Sequence, residues 1–294
     1  LMGVLVLAAI TSFPEVWTSI ATVTHLDAPD IGIGDLIGSV IINLMIIVAL
    51  DFKYAKGPIL SSVKRYHLLT CGFSLATLGI VIAAFALNIF TENSPGLFNI
   101  GLESYIIFAL CIAGIYASTR SPEELSAKKG RTITKDPILR KYAALSVCAG
   151  IIIASGFWLA WIGKEIVDMK GWDQMYFGTI VIAFTTSLPE IVVSLAAISI
   201  GSPDMALANI LGSNLFNIFI IPVMDLIYQK GYILGYVSVS HLYSTLLAII
   251  LTSVVFFGIL YRPKRSFMRL GIGTIISIAI FLSGNYLLYQ MINR

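Results

Sequence analysis

The sequence predicts an all-α membrane protein built from two inverted repeats of five transmembrane helices each, with proline-broken helices at its core. Three observations predict it: an apolar composition, a regular succession of long apolar runs, and one segment that occurs twice. Hydrophobic residues make up 57% of the 294 and charged residues 12%, against about 45–50% and about 25% in soluble domains. Mean hydropathy is +0.90. A water-soluble globule of this size needs far more charge to cover its surface, which excludes a cytoplasmic enzyme and a nucleic-acid binder. The expected partner is a lipid bilayer.

Nine runs are long enough to span one, which takes about 17–25 residues each. They cover approximately 1–24, 33–50, 68–90, 98–118, 139–163, 174–199, 205–227, 240–261 and 268–290. Short polar connectors separate them, with turn residues such as Asn93-Ser94-Pro95-Gly96. The division expected is 1–118 for the first repeat, 119–138 for a connector and 139–294 for the second repeat. Cys71, Cys111 and Cys148 lie in apolar stretches without metal-ligand spacing, and are expected as small core residues.

Basic residues favour alternate connectors. Lys53, Lys56, Lys64 and Arg65 fall near 51–67; Arg120, Lys128, Lys129, Arg131 and Lys135 within 119–138, with Arg140 and Lys141 at its edge; Arg262, Lys264, Arg265 and Arg269 near 262–269. The opposite side holds only Lys164, Lys170, Lys230 and Arg294. The positive-inside rule makes the basic side cytoplasmic, in a cell membrane. This placement also explains the net charge of +3 without a polyanionic partner. Trp158, Trp161, Trp172, Tyr105 and Tyr116 suit interfacial anchoring.

The duplication carries the functional signal. Residues 11–24 read TSFPEVWTSIATVT and residues 186–199 read TSLPEIVVSLAAIS. Pro29-Asp30 then matches Pro203-Asp204, Gly38-Ser39 matches Gly212-Ser213, Asn43 matches Asn217, and Asp51 matches Asp225. Upstream, Gly3 pairs with Gly178 and Ala8 with Ala183. The copies lie in the first and sixth spans, so the two run in opposite directions through the membrane. Inverted repeats with helices broken at mid-membrane mark secondary transporters, whose site lies at the repeat interface. The second copy follows a complete span that the first lacks, so a tenth span is expected ahead of residue 1.

Glu15 and Glu190 lie deep in their spans, with no Lys or Arg in either segment. A carboxylate there costs several kcal/mol unless paired, hydrated or bound to a cation. Pro14 and Pro189 break each helix, because proline removes the N–H that would bond the carbonyl four residues earlier, at Ile10 and Thr185. Opened carbonyls are tolerated at that depth only where they line protein or a polar cavity. Thr11 and Ser12 share a face with Glu15, as Thr186 and Ser187 do with Glu190, while Ser39 and Asn43, like Ser213 and Asn217, are one turn apart. The set is oxygen-only, which disfavours zinc, copper and iron and suits calcium, with its 6–8 flexible ligands. Two carboxylates neutralise one divalent ion, or hold monovalent ions with help from neutral oxygens.

At these residues the chain resembles the cation/Ca2+ antiporter superfamily, most closely the prokaryotic Na+/Ca2+ exchangers. The resemblance rests on Thr11-Ser12-Phe13-Pro14-Glu15, Thr186-Ser187-Leu188-Pro189-Glu190 and Gly212-Ser213-Asn214-Leu215-Phe216-Asn217. It implies no cofactor and two transported ions, Ca2+ and Na+ (or H+). It also implies Ca2+ ligation by Glu15 and Glu190 with the backbone oxygens of Thr11 and Thr186. Na+ would be held by Ser12, Ser187, Ser39, Ser213, Asn43, Asn217, the two glutamates and the carbonyls of Ala8 and Ala183. Many such exchangers have an acid where Asn217 stands, so one fewer core acid is expected here, leaving the counter-ion and its ratio to Ca2+ open. Val40 stands opposite Asn214, and Ile10 replaces a motif glycine.

Outside the motif, Asp35 (opposite Asn209) is expected to be solvated at a helix end, with lining the entrance as the alternative. Asp51 and Asp225, at span ends, are expected to be solvated or capping. His25, His67 and His241 sit near the interfaces and are not expected to be ligands. The leading reading is a Na+/Ca2+ antiporter working as a single chain, with a Ca2+/H+ antiporter as runner-up. A channel fits less well, since filters are usually rings in symmetric oligomers. An intramembrane hydrolase lacks an activated-water constellation.

Overall fold

The computed structural model describes residues 8–54, 56–90, 96–97, 100–119, 138–263, 266–267 and 270–292. Gly3, the turn at 93–95, nearly all of connector 119–138, most basic residues of 262–269 and Arg294 therefore lie outside the described residues. The main helices are α1 (Phe13–Thr24), α2 (Pro29–Tyr54), α3 (His67–Phe90), α4 (Leu102–Thr119), α5 (Ile138–Lys170), α6 (Gln174–Thr186), α7 (Leu188–Ser199), α8 (Pro203–Ile227), α9 (His241–Tyr261) and α10 (Ile272–Ile292). Six are long and apolar enough to cross a membrane, α6 and α7 form a bent pair at 43°, and α4 is a shorter apolar helix. Each predicted run has its helical counterpart, the first being described only from residue 8.

Helices α2 and α8 cross at the centre, with 78% and 72% of their spanning windows buried; in α5 and α10 only 22% is buried. A helix apolar all round sits either in a core or against lipid, and here both cases occur. Cys148 is a correction: Cys71 and Cys111 are buried, but Cys148 is exposed on α5, whose outward face hydrocarbon can cover as well as protein can. Trp158, Trp161, Trp172, Tyr105 and Tyr116 are exposed, as anchoring requires. Close crossings need small residues: a Cβ at Gly38 would run into the Thr179 carbonyl oxygen, and one at Gly156 of α5 would lie 3.2 Å from the Pro14 carbonyl oxygen.

The duplication extends to the polar ties at the helix ends. Asp51 Oδ1 accepts from Ile59 N (2.7 Å), and its Oδ2 accepts from Gly271 N (2.7 Å) and Thr274 Oγ1 (2.6 Å). Asp225 Oδ1 accepts from Ile233 N (2.6 Å), and its Oδ2 from Gly101 N (2.9 Å) and Ser104 Oγ (2.6 Å). In each case a two-stranded hairpin, β1–β2 (Gly96–Leu97, Ile100–Gly101) or β3–β4 (Ser266–Phe267, Leu270–Gly271), ends at the bonded glycine. Both aspartates are buried. The capping expectation therefore holds and solvation does not, because three donors replace water. A second mirrored pair ties the start of each core helix to the start of a helix in the other repeat: Asp30 accepts from Ser238 N and bonds His241 Nε2 (3.1 Å), and Asp204 accepts from Lys64 N and bonds His67 Nε2 (3.2 Å). Both histidines are buried; His25 stays exposed.

Removing a buried acceptor strands its donors at about 1–3 kcal/mol each. Asp225→Ala, which orphans two amides and a hydroxyl, should cost several kcal/mol and lower the melting temperature in detergent by several degrees. A thermal-shift change under one degree would contradict the role assigned to Asp225.

Candidate functional site

Both proline motifs fold alike. Ser12 (φ −86°, ψ 11°) and Ser187 (φ −79°, ψ 2°) leave the helical region just before α1 and α7. Their amides still bond back to the Ala8 and Ala183 carbonyls, at 3.0 and 3.1 Å. The chain is thus interrupted at the same point in each repeat, and the glutamate follows in the first turn of the new helix. The π-helical turn Gly178–Ile182 precedes the second break, a feature frequent at functional sites.

Inverted pairing brings the two interruptions and the middles of α2 and α8 together. Ser12 Oγ and Ser213 Oγ each donate to Glu190 Oε1 at 3.1 Å. Thr11 and Ser213 hydroxyls share a hydrogen bond at 3.4 Å, and Ser39 and Thr186 repeat it at 3.3 Å. The Thr11 hydroxyl donates to the Ala8 carbonyl (3.0 Å), and the Thr186 hydroxyl oxygen lies 3.2 Å from the Ala183 carbonyl oxygen. Glu15, Glu190, Ser12, Ser187, Ser39, Ser213, Asn43 and Asn217 are all 0% exposed. Both Glu15 carboxylate oxygens, Glu190 Oε2, Ser187 Oγ and the side-chain amides of Asn43 and Asn217 have no hydrogen-bond partner. So many orphaned oxygens at one place are rare in a settled core and are what a desolvated cation would satisfy. A cavity of about 340 Å3 beside the two breaks is lined by Pro14, Pro189, Thr186 and residues of α5 including Ser155 and Gly156.

The structure corrects the reading of Asp35. It is fully buried rather than solvated, and its Oδ1 accepts from Thr186 Oγ1 at 2.8 Å and Ser39 Oγ at 3.4 Å. The core therefore holds three carboxylates, offsetting the acid missing at Asn217. Position 35 lies one turn before Ser39 on α2, so helical spacing pointed to this face. Its place near the start of an apolar run misled, because α2 begins at Pro29 and carries Asp35 well inside. Among the described residues no Lys or Arg forms an ion pair with any of the three acids.

Fold and site together define a membrane transporter of cations. The family model described as sodium/calcium exchanger protein matches residues 1–120 and 141–290. Among curated relatives, the inner membrane protein YrbG of Escherichia coli (strain K12) is 25% identical over 278 residues, 94% of this chain and 82% of that protein. The sodium/calcium exchanger MaX1 of Methanosarcina acetivorans is 31% identical over 123 residues, 40% of this chain and 33% of that protein. A solved structure of the sodium-calcium exchanger NCX_Mj, soaked with Na+ and Sr2+, shares the fold at TM-score 0.60 and 22% identity, covering 96% of this chain and 84% of that one. The chain belongs to the sodium/calcium exchanger protein family, and is a cation/Ca2+ antiporter by class.

The unequal donors make a direct test. Ser12→Ala removes a hydrogen bond to a carboxylate, whereas Ser187→Ala removes none in this conformation. In ion-free buffer Ser12→Ala should be the less stable variant by about 1–2 kcal/mol, read as a lower melting temperature. Equal stabilities would contradict the asymmetric arrangement.

Proposed function

We propose that the protein exchanges Na+ for Ca2+ across the cell membrane by alternating access, with inward Na+ driving Ca2+ out. The observation that carries this reading is the pair of buried glutamates on mirrored helix breaks, lacking basic partners and ringed by orphaned oxygens. Glu15 and Glu190 neutralise a divalent ion, and the opened carbonyls of Thr11 and Thr186 supply neutral hard ligands. When Ca2+ leaves, Na+ replaces it, held by the two carboxylates with Ser12, Ser187, Ser39, Ser213, Asn43, Asn217 and the Ala8 and Ala183 carbonyls. Pro14 and Pro189 remove the amides that would have bonded the Ile10 and Thr185 carbonyls, and so open each helix beside these ligands. Because the repeats are mirror-related, the same site can be approached from either face by rocking one element past another. The cavity at both breaks, walled by α5, is a natural place for that motion. The connectors near 51–67, 119–138 and 262–269 face the cytoplasm, and one chain suffices, since it holds both copies of the motif.

Reconstituted into Na+-loaded vesicles, the protein should take up 45Ca2+ when external Na+ is removed. Uptake driven by a pH gradient and indifferent to Na+ would replace this reading with Ca2+/H+ exchange. Glu15→Gln or Glu190→Gln should weaken Ca2+ binding by about 100-fold or more, because stranding buried charge costs about 3–5 kcal/mol. Equilibrium dialysis with 45Ca2+ measures this, and wild-type affinity in either variant would remove that residue from the site.

A further inference from the structure

After its proline break, each repeat ends its short helix in the same way. The Ala28 amide closes α1 by bonding the Thr22 carbonyl at 2.9 Å, and the Ser202 amide closes α7 by bonding the Ala197 carbonyl at 2.9 Å. Both chains turn there through a left-handed residue, Asp27 at φ 48° and its mirror Gly201 at φ 76°. Glycine enters that region freely, whereas a residue with a Cβ is strained in it. Strain kept in one copy and absent from the other points to a use for the Asp27 side chain.

That side chain reaches the other repeat. Asp27 Oδ2 accepts from Lys230 Nζ at 2.6 Å, three residues past the end of α8. The pair crosses a cavity of about 420 Å3 walled by residues of 23–27 and 227–230, so it joins two helix ends across open space. At the opposite end of the core the chemistry changes. Lys56 is the mirror of Lys230, but Gly201 offers it no carboxylate. Lys53, in the last turn of α2, instead donates from Nζ to the Leu195 carbonyl near the end of α7, at 3.2 Å. The Ser199 hydroxyl bonds the same carbonyl at 3.0 Å. A cation at a helix C-terminus answers the negative end of the aligned peptide dipoles. A lysine at the end of each core helix thus holds the end of the other repeat's post-proline helix, by an ion pair at one face and a carbonyl at the other.

We propose that Lys230 with Asp27, and Lys53 with the Leu195 carbonyl, are positioning contacts of the exchange cycle: two latches at opposite faces, each holding a helix that carries a site glutamate to the core helix of the other repeat. This rests on the alternating-access reading given above. Helices α1 and α7 are 12 residues long and carry Glu15 and Glu190 in their first turns, a length of about 18 Å at about 1.5 Å per residue. Releasing one end of so short a rod lets it tilt and moves the glutamate at its other end. Asp27 lies at the end of the core opposite the 51–67 connector, so its latch governs the outer approach, and the Lys53 latch governs the cytoplasmic one. Lys230 and Asp27 are 56% and 63% exposed, and exposed pairs are weak. The latches therefore bias a balance between states and do not lock it.

Amide hydrogen exchange of the purified full chain, read by mass spectrometry, tests this without transport. Lys230→Gln should speed exchange about two- to fivefold at His25, Leu26 and Ala28, whose amides close α1, and leave Gly201 and Ser202 unchanged. Lys53→Gln should do the reverse. Asp27→Asn, which keeps a side chain tolerated at positive φ, should match Lys230→Gln, while Lys230→Arg should match wild type. In vesicles of one orientation, Lys230→Gln should lower the half-saturating Na+ at the outer face and raise it at the cytoplasmic face, because a population shift favours one approach over the other. Lys53→Gln should move both the opposite way. A merely structural weakening would move the two faces together. Exchange that loosens at both helix ends in either variant, or at neither, overturns the proposal, as do half-saturations that move in parallel or stay fixed. Wild-type vesicles that fail to exchange Na+ for Ca2+ would sink the transport reading, while amide exchange still decides the latches.

Discussion

Negative charge without a fixed counter-charge, held where water is scarce, is the constraint on which the rest of this molecule depends. Glu15, Glu190 and Asp35 are fully buried, and no described Lys or Arg pairs with them. A protein that wanted only stability would replace such groups with well-packed hydrocarbon. Keeping them makes the counter-charge something that comes and goes. The proline breaks, the hydroxyl ring and the glycine-permitted helix crossings all bring neutral oxygens to the same place without adding a competing base.

Carboxylates of two kinds are present, and their donors tell them apart. Asp51 and Asp225 each accept three hydrogen bonds, two from backbone amides, and tie hairpins to the ends of core helices. Asp30 and Asp204 each take one amide and one histidine. These are satisfied groups that hold the scaffold. Glu15 has no donor and Asp35 has one bare oxygen, although burial alone would place them with Asp51 and Asp225. The scaffold carboxylates obey the repeat symmetry closely, while the core departs from it at Asp35.

That departure gives the two halves of the core different electrical characters. Around Glu190, two serines lower the need for a cation; around Glu15 and Asp35 the need is greatest. The repeats that form the core are symmetric, while the charge they bring to it is not. Position 35 carries an acid that takes the Thr186 and Ser39 hydroxyls, where position 209 carries an amide that bonds Ser194 within its own repeat.

Much of this was legible in the residues themselves. Spans follow from the length of apolar runs, the breaks from proline chemistry, and the inverted arrangement from a repeated polar motif and the parity of the spans between its copies. All are local or periodic properties. The tertiary structure decided what depends on which surfaces meet: that Cys148 faces outward while Cys71 and Cys111 do not, that Asp51 and Asp225 are satisfied by hairpins distant in sequence, and that Asp35 lies in the core. A carboxylate near the start of an apolar run reads as solvated, because sequence shows its distance from the end of the run and not the depth to which packing carries it. Whether such a group meets water, a donor or a bare neighbour is set by helices more than a hundred residues away, and only their packing determines it.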